Sequence, residues 1–265
     1  MKTTQDIIND SGYPLQIHLE KWIEETRKYH KWQVLVREHR WVNTETGDEG
    51  FIDLVLEHAS YNMRLVVECK RILGNWTFLL PSMNPNIEHK VRILCADYKT
   101  YKLTWDDSNM TPDSYEAAYC VMETDGKKDT RTLEKFSGEL LLSSEYLAKE
   151  NTELIKLLQE QSKMPVVNTS QQAMLYLPII VTTATLQKLT FDPSNIDIKN
   201  GKINESNTGP IEFIRFRKNL ATNIKNIKHE ESSLYTLREL NRENDRTVFI
   251  VQAENLINFL SRIDF

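Results

Sequence analysis

Three charged residues lie inside two neighbouring apolar segments, and this feature constrains the fold of the chain most. Residues 51–57 read Phe-Ile-Asp-Leu-Val-Leu-Glu, and residues 63–71 read Met-Arg-Leu-Val-Val-Glu-Cys-Lys-Arg. Their aliphatic content predicts two strands, and the short connector between them predicts a hairpin. A buried sheet holds the charges of Asp53, Glu68 and Lys70 only when they are paired or bind a metal ion.

The register of this hairpin predicts that the three charges converge. If the chain turns at Ser60 and Tyr61, Asp53 lies opposite Glu68, while Glu68 and Lys70 share a face because they are two residues apart. Two carboxylates at this range repel each other unless a cation lies between them, and hard oxygen ligands suit Mg²⁺ or Mn²⁺. A neighbouring lysine can orient or deprotonate a water molecule and stabilise developing negative charge.

A second interpretation of the same residues stays open. The charges could be solvated side chains on the exposed face of an amphipathic hairpin, with Lys70 as the salt-bridge partner of the acids. Aliphatic side chains flank the charges on both faces of the two strands, which weighs against this interpretation. They are Leu54, Val55, Val66 and Val67.

Hydrophobic spacing predicts the order of elements along the chain. We expect a helix at 14–29, strands at 32–42, 51–57 and 63–71, a long helix at 130–162 and a buried strand at 179–183. Between residues 80 and 130 the pattern predicts a short helix near 87–94 and a strand near 115–123. The last third predicts strands at 186–191, 211–217 and 248–251 and a final helix at 253–262.

No repeat and no Ser-, Gly- or Pro-rich linker divides the chain. We therefore predict one α/β domain over residues 1–265, with a core over 11–183. An insertion around 80–130 interrupts this core, and a β-rich C-terminal extension over 184–265 follows it. The proportions of 40% apolar and 27% charged residues are those of a globular protein.

Charge and cysteine content exclude some classes of protein. With 33 Lys and Arg against 38 Asp and Glu, the net charge of -5 excludes a globally basic nucleic-acid coat protein. It does not exclude an enzyme with a local basic groove. Three cysteines without a CxxC pair argue against a disulfide framework and fit a reducing cytoplasm. The chain shows no signal peptide and no apolar run that could span a bilayer, so we expect a soluble cytoplasmic protein without a membrane partner.

The spacing of the charged residues resembles a known nuclease motif. Asp53, followed after a hairpin by Glu68-Cys69-Lys70, is similar to the PD-(D/E)XK nuclease superfamily, whose fold is the restriction-endonuclease-like fold. The core of that superfamily is a helix, a three-stranded meander, a second helix and a further strand, which is the order expected here. A prokaryotic subgroup with a Gly-Tyr-Pro-Leu start, here residues 12–15, and an aromatic run after the lysine, here residues 76–78, is also similar.

The resemblance implies a metal-dependent nuclease that hydrolyses phosphodiester bonds. In that case Asp53 and Glu68 bind Mg²⁺, or Mn²⁺ as a substitute, the backbone carbonyl of Cys69 is a further ligand, and Lys70 assists the attacking water. DNA is the expected substrate, in restriction, phage defence or repair, although RNA stays open. The resemblance also allows a homodimer and an activating partner protein.

One position departs from the superfamily pattern. The helix before the meander often carries a Glu in that superfamily, whereas this chain has Gln16 there. Glu20, one turn later on the same helix face, could replace it. The departure supports an alternative function, a non-catalytic nuclease-like module that binds nucleic acid or a protein partner.

Basic and aromatic residues outside the motif are candidates for nucleic-acid contacts. Arg71 could reach a phosphate or could be a solvated strand-end charge. The most basic segment contains Arg215, Arg217, Lys225 and Lys228, and it could follow a nucleic-acid backbone or form a solvated face. In the aromatic run, Trp76 and Phe78 could stack on bases, although core packing is the commoner role of such a pair.

Overall fold

The computed structural model describes residues 3–43, 47–82, 88–124, 127–162, 173–220 and 244–264, and it has a mixed α/β fold. The helices are α1 (Thr4–Asp10), α2 (Tyr13–His30), α3 (Thr132–Gln161) and α4 (Leu256–Arg262). The first strands are β1 (Trp32–Val42), β2 (Glu49–His58), β3 (Met63–Lys70), β4 (Asn75–Leu80), β5 (Glu88–Asp97), β6 (Lys102–Ser114), β7 (Glu116–Ala117), β8 (Tyr119–Thr124) and β9 (Lys127–Asp129). The remaining strands are β10 (Ala173–Thr182), β11 (Thr185–Thr190), β12 (Ile196–Asp197), β13 (Lys202–Ile203), β14 (Asn207–Pro210), β15 (Phe213–Asn219) and β16 (Asp245–Gln252).

Within the described residues, the larger sheet has nine strands and is organised around β10. Its continuous path is β1-β2-β3-β10-β16-β15-β7, and β5 and β6 join it at β10. The meander β1-β2-β3 is antiparallel, whereas β10 runs parallel to β3. The other edge of β10 is shared, because its first half pairs with β5 and its second half with β16. Strand β10 is therefore surrounded on both edges, which explains the apolar run that predicted a buried strand at 179–183.

Helices cover both faces of this sheet. Helices α2 and α4 lie on one face, where Leu19, Ile23 and Phe259 belong to the hydrophobic cluster that we call the α2-side core. Helix α3 covers the other face, where Leu140 and Leu141 belong to the α3-side core. Since β10 contributes side chains to both cores, the expected helix-meander-helix-strand order becomes a layered α/β arrangement. Among the described residues, no helix is both long enough and apolar enough to cross a membrane.

A second sheet, with five strands in the described part of the chain, continues from the ends of β3 and β10. Its order is β14-β11-β4-β8-β9, and β4 runs parallel to β11 just as β3 runs parallel to β10. The chain bends at the same place between β3 and β4 and between β10 and β11, and Thr183 forms hydrogen bonds across this bend. Its backbone N–H donates to the carbonyl of Lys70 over 3.2 Å, and its hydroxyl contacts the backbone N–H and carbonyl of Ile72. The charged end of β3 therefore lies at the junction of the two sheets.

Several predicted elements are confirmed within a few residues. These are the helices at 14–29 and 130–162 and the strands at 32–42, 51–57, 63–71, 179–183, 186–191, 211–217 and 248–251. The final segment begins as a single 3-10 turn at Ala253–Asn255 before α4. The described parts of the C-terminal extension, 184–220 and 244–264, are rich in strands, and two of those strands, β15 and β16, join the larger sheet.

The predicted helix near 87–94 is wrong, because β5 occupies this segment. Val91 and Ile93 pack in the α2-side core, whereas Leu94 and Ala96 pack in the α3-side core. This two-residue alternation suits a strand that is buried on both faces, and pairing with β10 and β6 stabilises it. The insertion is thus an integral part of the sheet.

Gly74 is required where β3 leads into β4. Its φ is +133°, and a Cβ at this position would lie 1.9 Å from the backbone oxygen of Glu123. We expect Gly74→Ala to lower the free energy of unfolding by about 2 to 4 kcal/mol, measured by urea denaturation. The matched control is Gly138→Ala in α3, where a Cβ meets nothing within 4 Å and should stabilise the helix by about 0.5 to 1 kcal/mol. Equal stability of the two variants would contradict this role.

Candidate active site

The charged residues of β2 and β3 meet where the pairing of these strands ends. The observed pairs Val55–Val66 and Leu54–Val67 have the register expected from the sequence, so the next residues in line are Asp53 and Glu68. Beyond the last backbone pair the two strands are joined by a side-chain hydrogen bond: Oδ2 of Asp53 accepts a bond of 2.6 Å from the backbone N–H of Cys69. The carboxyl of Asp53 is therefore held against the end of β3.

Glu68 and Lys70 share a face of β3, as their spacing predicts. The ammonium Nζ of Lys70 forms an ion pair with Oε1 of Glu68. The same nitrogen lies 4.6 Å from the ring centre of Phe136 on α3. Both charged side chains are about one-fifth to one-quarter exposed, so solvent and a ligand can reach them.

Gln16 is the residue of α2 that contacts this region. Its side chain is only 8% exposed. The amide Nε2 donates to the backbone carbonyl of Asp53 over 3.1 Å and to Oε1 of Glu38. Glu20, the other acidic candidate on α2, forms an ion pair of 2.9 Å with Arg37 instead. The contact between helix and site is thus made by the position that departs from the superfamily pattern.

Glu38 is a candidate site residue that sequence reasoning missed. Its neighbours Arg37 and His39 pair with Leu54 and Ile52, so Glu38 lies across from Asp53 on the adjacent strand. Its φ of +50° is unusual for a residue with a side chain. A register shift in β1 between Val34 and Val36 moves the strand by one residue, and no sequence pattern indicates this bulge. The alignment of Glu38 with the acids of β2 and β3 therefore could not be predicted from the sequence.

At the facing pair of Glu38 and Asp53, strands β1 and β2 both change the face of the sheet to which their side chains point. Ile52 packs in the α3-side core, whereas Leu54 packs in the α2-side core. On β1, Arg37 contacts a side chain of α2 and His39 contacts a side chain of α3. Side chains two residues apart normally share a face, so both strands rotate between these positions. The rotation leaves the facing acids between the two cores instead of inside one of them.

Electrostatic repulsion and burial act together on Asp53. Burial and the nearby negative charge of Glu68 raise the pKa of Asp53 to about 7, although the N–H of Cys69 and the charge of Lys70 oppose this. Burial also raises the pKa of the Cys69 thiol well above its usual value. Because this side chain packs against the α2-side core, on the face of β3 opposite to Glu68 and Lys70, it is a core residue and not a nucleophile.

The donor set suits a hard divalent cation. Asp53 and Glu68 offer carboxylate oxygens, and burial together with the negative charge of Glu68 raises the pKa of Asp53. Among the described residues, no three His, Cys, Asp or Glu side chains already form a metal-binding group. In the arrangement seen here, these two carboxylates are therefore the residues that fit a cation most directly.

The comparisons with known proteins identify no relative that could assign this site. No family model matches the chain, and neither a curated protein nor a solved structure matches it significantly. The function must therefore be argued from the residues of this chain.

The basic residues predicted to contact nucleic acid have other roles in the structure. Arg215 has no exposed surface and donates two hydrogen bonds of 2.9 Å, to the carbonyls of Lys90 and Ser114. Arg217 is 13% exposed and lies 3.7 to 3.8 Å from three carboxylates. Both arginines make contacts within the fold, and their role in binding phosphates stays a prediction.

The remaining candidates divide into three cases. Arg71 forms an ion pair of 3.2 Å with Asp10 and keeps about one-quarter of its side chain exposed. Trp76 and Phe78 have no exposed surface, so they belong to the core and do not stack on bases. Lys225 and Lys228 lie outside the described residues.

Removal of the Asp53 charge should stabilise the protein at high pH. The folded-state pKa of Asp53 is raised above its unfolded value, so the stability linked to its protonation is fully present below about pH 4 and is lost as the pH rises through about 7. We expect Asp53→Asn to raise the free energy of unfolding by about 1 to 3 kcal/mol at pH 8 in the presence of a chelator, and to change it little near pH 4. Urea denaturation at both pH values measures this, and a destabilised variant at pH 8 would contradict it.

Arg215 should be a structural residue. We expect Arg215→Met to lower the free energy of unfolding by about 2 to 4 kcal/mol, because it removes two buried hydrogen bonds to carbonyls of β5 and β6. Arg40→Gln is the control, since Arg40 is largely exposed and pairs with Glu49 at the surface, where about 0.5 kcal/mol is expected. Urea denaturation of both variants decides the matter, and an Arg215→Met variant as stable as the control would overturn the assignment.

Proposed function

We propose that this protein is a metal-dependent nuclease of the PD-(D/E)XK superfamily with a restriction-endonuclease-like core. The observation that carries the proposal is the convergence of Asp53, Glu68 and Lys70 at the place where β2 and β3 stop pairing. The order α2, β1-β2-β3, α3 and β10 supports it as well, because the superfamily core has the same order. In this order β3 and β10 are parallel neighbours in the larger sheet.

The residues of the site have the properties that phosphodiester hydrolysis requires. A bound Mg²⁺ or Mn²⁺ polarises the phosphoryl group and lowers the pKa of a water molecule. Asp53 and Glu68 hold this cation, and the backbone carbonyl of Cys69 is a further ligand. Lys70 orients the attacking water and stabilises the negative charge that develops on the phosphate as the ester bond breaks. The ion pair with Glu68 and the contact with Phe136 hold the lysine for this task.

We take DNA as the preferred substrate, cut internally, in restriction, phage defence or repair within the cytoplasm. A homodimer would allow both strands of a duplex to be cut, and a partner protein or activator could control the activity. The net charge of -5 requires that the nucleic acid is bound locally and not by the whole surface.

The alternative is a non-catalytic nuclease-like module that binds nucleic acid or a protein partner. The neutral amide of Gln16 at the helix position nearest the site favours it. The presence of Asp53, Glu68 and Lys70 together weighs against a non-catalytic module, because a site without catalytic function does not need to keep carboxylates that repel each other.

A cleavage assay on the purified chain tests the proposal. Supercoiled plasmid, linear duplex, single-stranded DNA and RNA are each incubated with Mg²⁺, Mn²⁺ or a chelator. We expect metal-dependent cutting that falls by about 100-fold or more in Asp53→Asn and in Lys70→Met, because each removes a group that acts on the reacting phosphate or water. The Glu49→Gln control, at the exposed start of β2, should cut like the wild type.

The outcomes separate the two functions. Cutting that persists in both site variants would contradict the nuclease assignment. A protein that cuts no substrate and gains no thermal stability from Mg²⁺ or Mn²⁺ would support the binding module, since a ligand that binds the folded state stabilises it.

A further inference from the structure

A row of three acids crosses the first three strands of the larger sheet. Register places Glu38 of β1 across from Asp53 of β2, and Asp53 across from Glu68 of β3. Like charges that face each other across strands destabilise a sheet. Such a row therefore needs a positive partner, and Lys70 is the only cation in ion-pair contact with any of its members in the described parts of the chain.

Charge balance shows what this row lacks. Three carboxylates and one ammonium leave two negative charges without a counter-charge when every group is ionised. Glu20 of α2, by contrast, pairs with Arg37. The deficit at the row equals the charge of one divalent cation.

Gln16 holds Glu38 beside Asp53 without neutralising it. The two N–H donors of its amide nitrogen are divided between the Glu38 carboxylate and the Asp53 carbonyl. An arginine or lysine at this position would have cancelled the charge. The amide keeps the carboxylate at the site and leaves it negative.

The backbone of Glu38 provides an independent indication. Its left-handed φ of +50° lies within a strand, at the point where β1 and β2 turn over. Conformations of this kind in non-glycine residues are retained where the surrounding structure holds them, and they concentrate at functional sites. The side chain itself is exposed, so it can rotate toward a ligand even though the three carboxylates do not yet form a closed group.

We propose that Glu38 is the third acidic residue of the cation site and that Gln16 is the residue that positions it. This inference rests on the proposed function, because it assumes that Asp53 and Glu68 bind a divalent cation. It assigns the additional acid to strand β1 instead of to Glu20 on helix α2.

Direct binding of Mn²⁺ to the full chain tests this inference. The affinity is measured by titration calorimetry or from the electron paramagnetic resonance signal of free Mn²⁺, without a substrate. We expect Glu38→Gln to weaken Mn²⁺ binding about 10-fold or more, Asp53→Asn to abolish it, and Glu20→Gln to change it less than about 2-fold. In a chelator the melting temperature of Glu38→Gln should equal or exceed that of the wild type, because a repulsive charge is removed.

A second pair of variants separates charge from backbone conformation. Asn and Asp both tolerate a left-handed backbone, so Glu38→Asn and Glu38→Asp differ mainly in charge. We expect the Asp variant to bind Mn²⁺ at least about 5-fold more tightly than the Asn variant, a difference that follows from one ligand charge. Equal affinities would overturn the role of Glu38.

The proposed function and the role of Glu38 would fail in different ways. If Asp53→Asn abolishes Mn²⁺ binding while Glu38→Gln binds like the wild type, the further inference is overturned and the proposed function is not. If the wild type binds no Mn²⁺, both are overturned. A Glu38→Gln variant that melts several degrees below the wild type in a chelator and binds Mn²⁺ normally would identify Glu38 as a structural residue only.

Discussion

The repulsion between carboxylates at the end of the β2-β3 ladder is the constraint on which the site depends. Asp53 accepts a hydrogen bond from the backbone N–H of Cys69 where the next strand pair would form, and Glu68 forms an ion pair with the ammonium of Lys70. These contacts hold like charges together in a partly buried place, which raises the pKa of Asp53. Ionised Asp53 therefore costs the folded protein stability, and the proposed cation would offset this cost.

The surrounding fold supports this arrangement from several sides. Strand β10 supports β3 along its whole length, and both strands bend together into the second sheet directly after Lys70. The close approach of Gly74 to β8 fixes the bend. Helices α2 and α3 then reach the charged end of the hairpin from opposite faces, through Gln16 and Phe136. The charges thus lie at a junction of elements, where they are accessible and their positions are constrained on several sides.

Local sequence patterns predicted the elements whose pattern is strong. Helix α2, the meander and α3 follow from hydrophobic spacing and turn residues, and the register of the hairpin follows from its short connector. The segment of β5 was misread because a short apolar run of a strand buried on both faces resembles a buried helix. The burial of Arg215 could not be predicted, because a basic segment does not show whether its side chains point to solvent or form contacts within the fold.

The sequence by itself determined which residues of the hairpin carry the charges and that those of β3 share one face, because side-chain alternation in a strand is a local property. It also determined that two carboxylates would meet across the hairpin. Only the tertiary structure decided that Gln16 and Glu38 belong to the same place and that Glu20 does not. The reason is that a bulge and a left-handed residue in β1 set the register of that strand, and the packing of α2 chooses which of its polar side chains reaches the sheet.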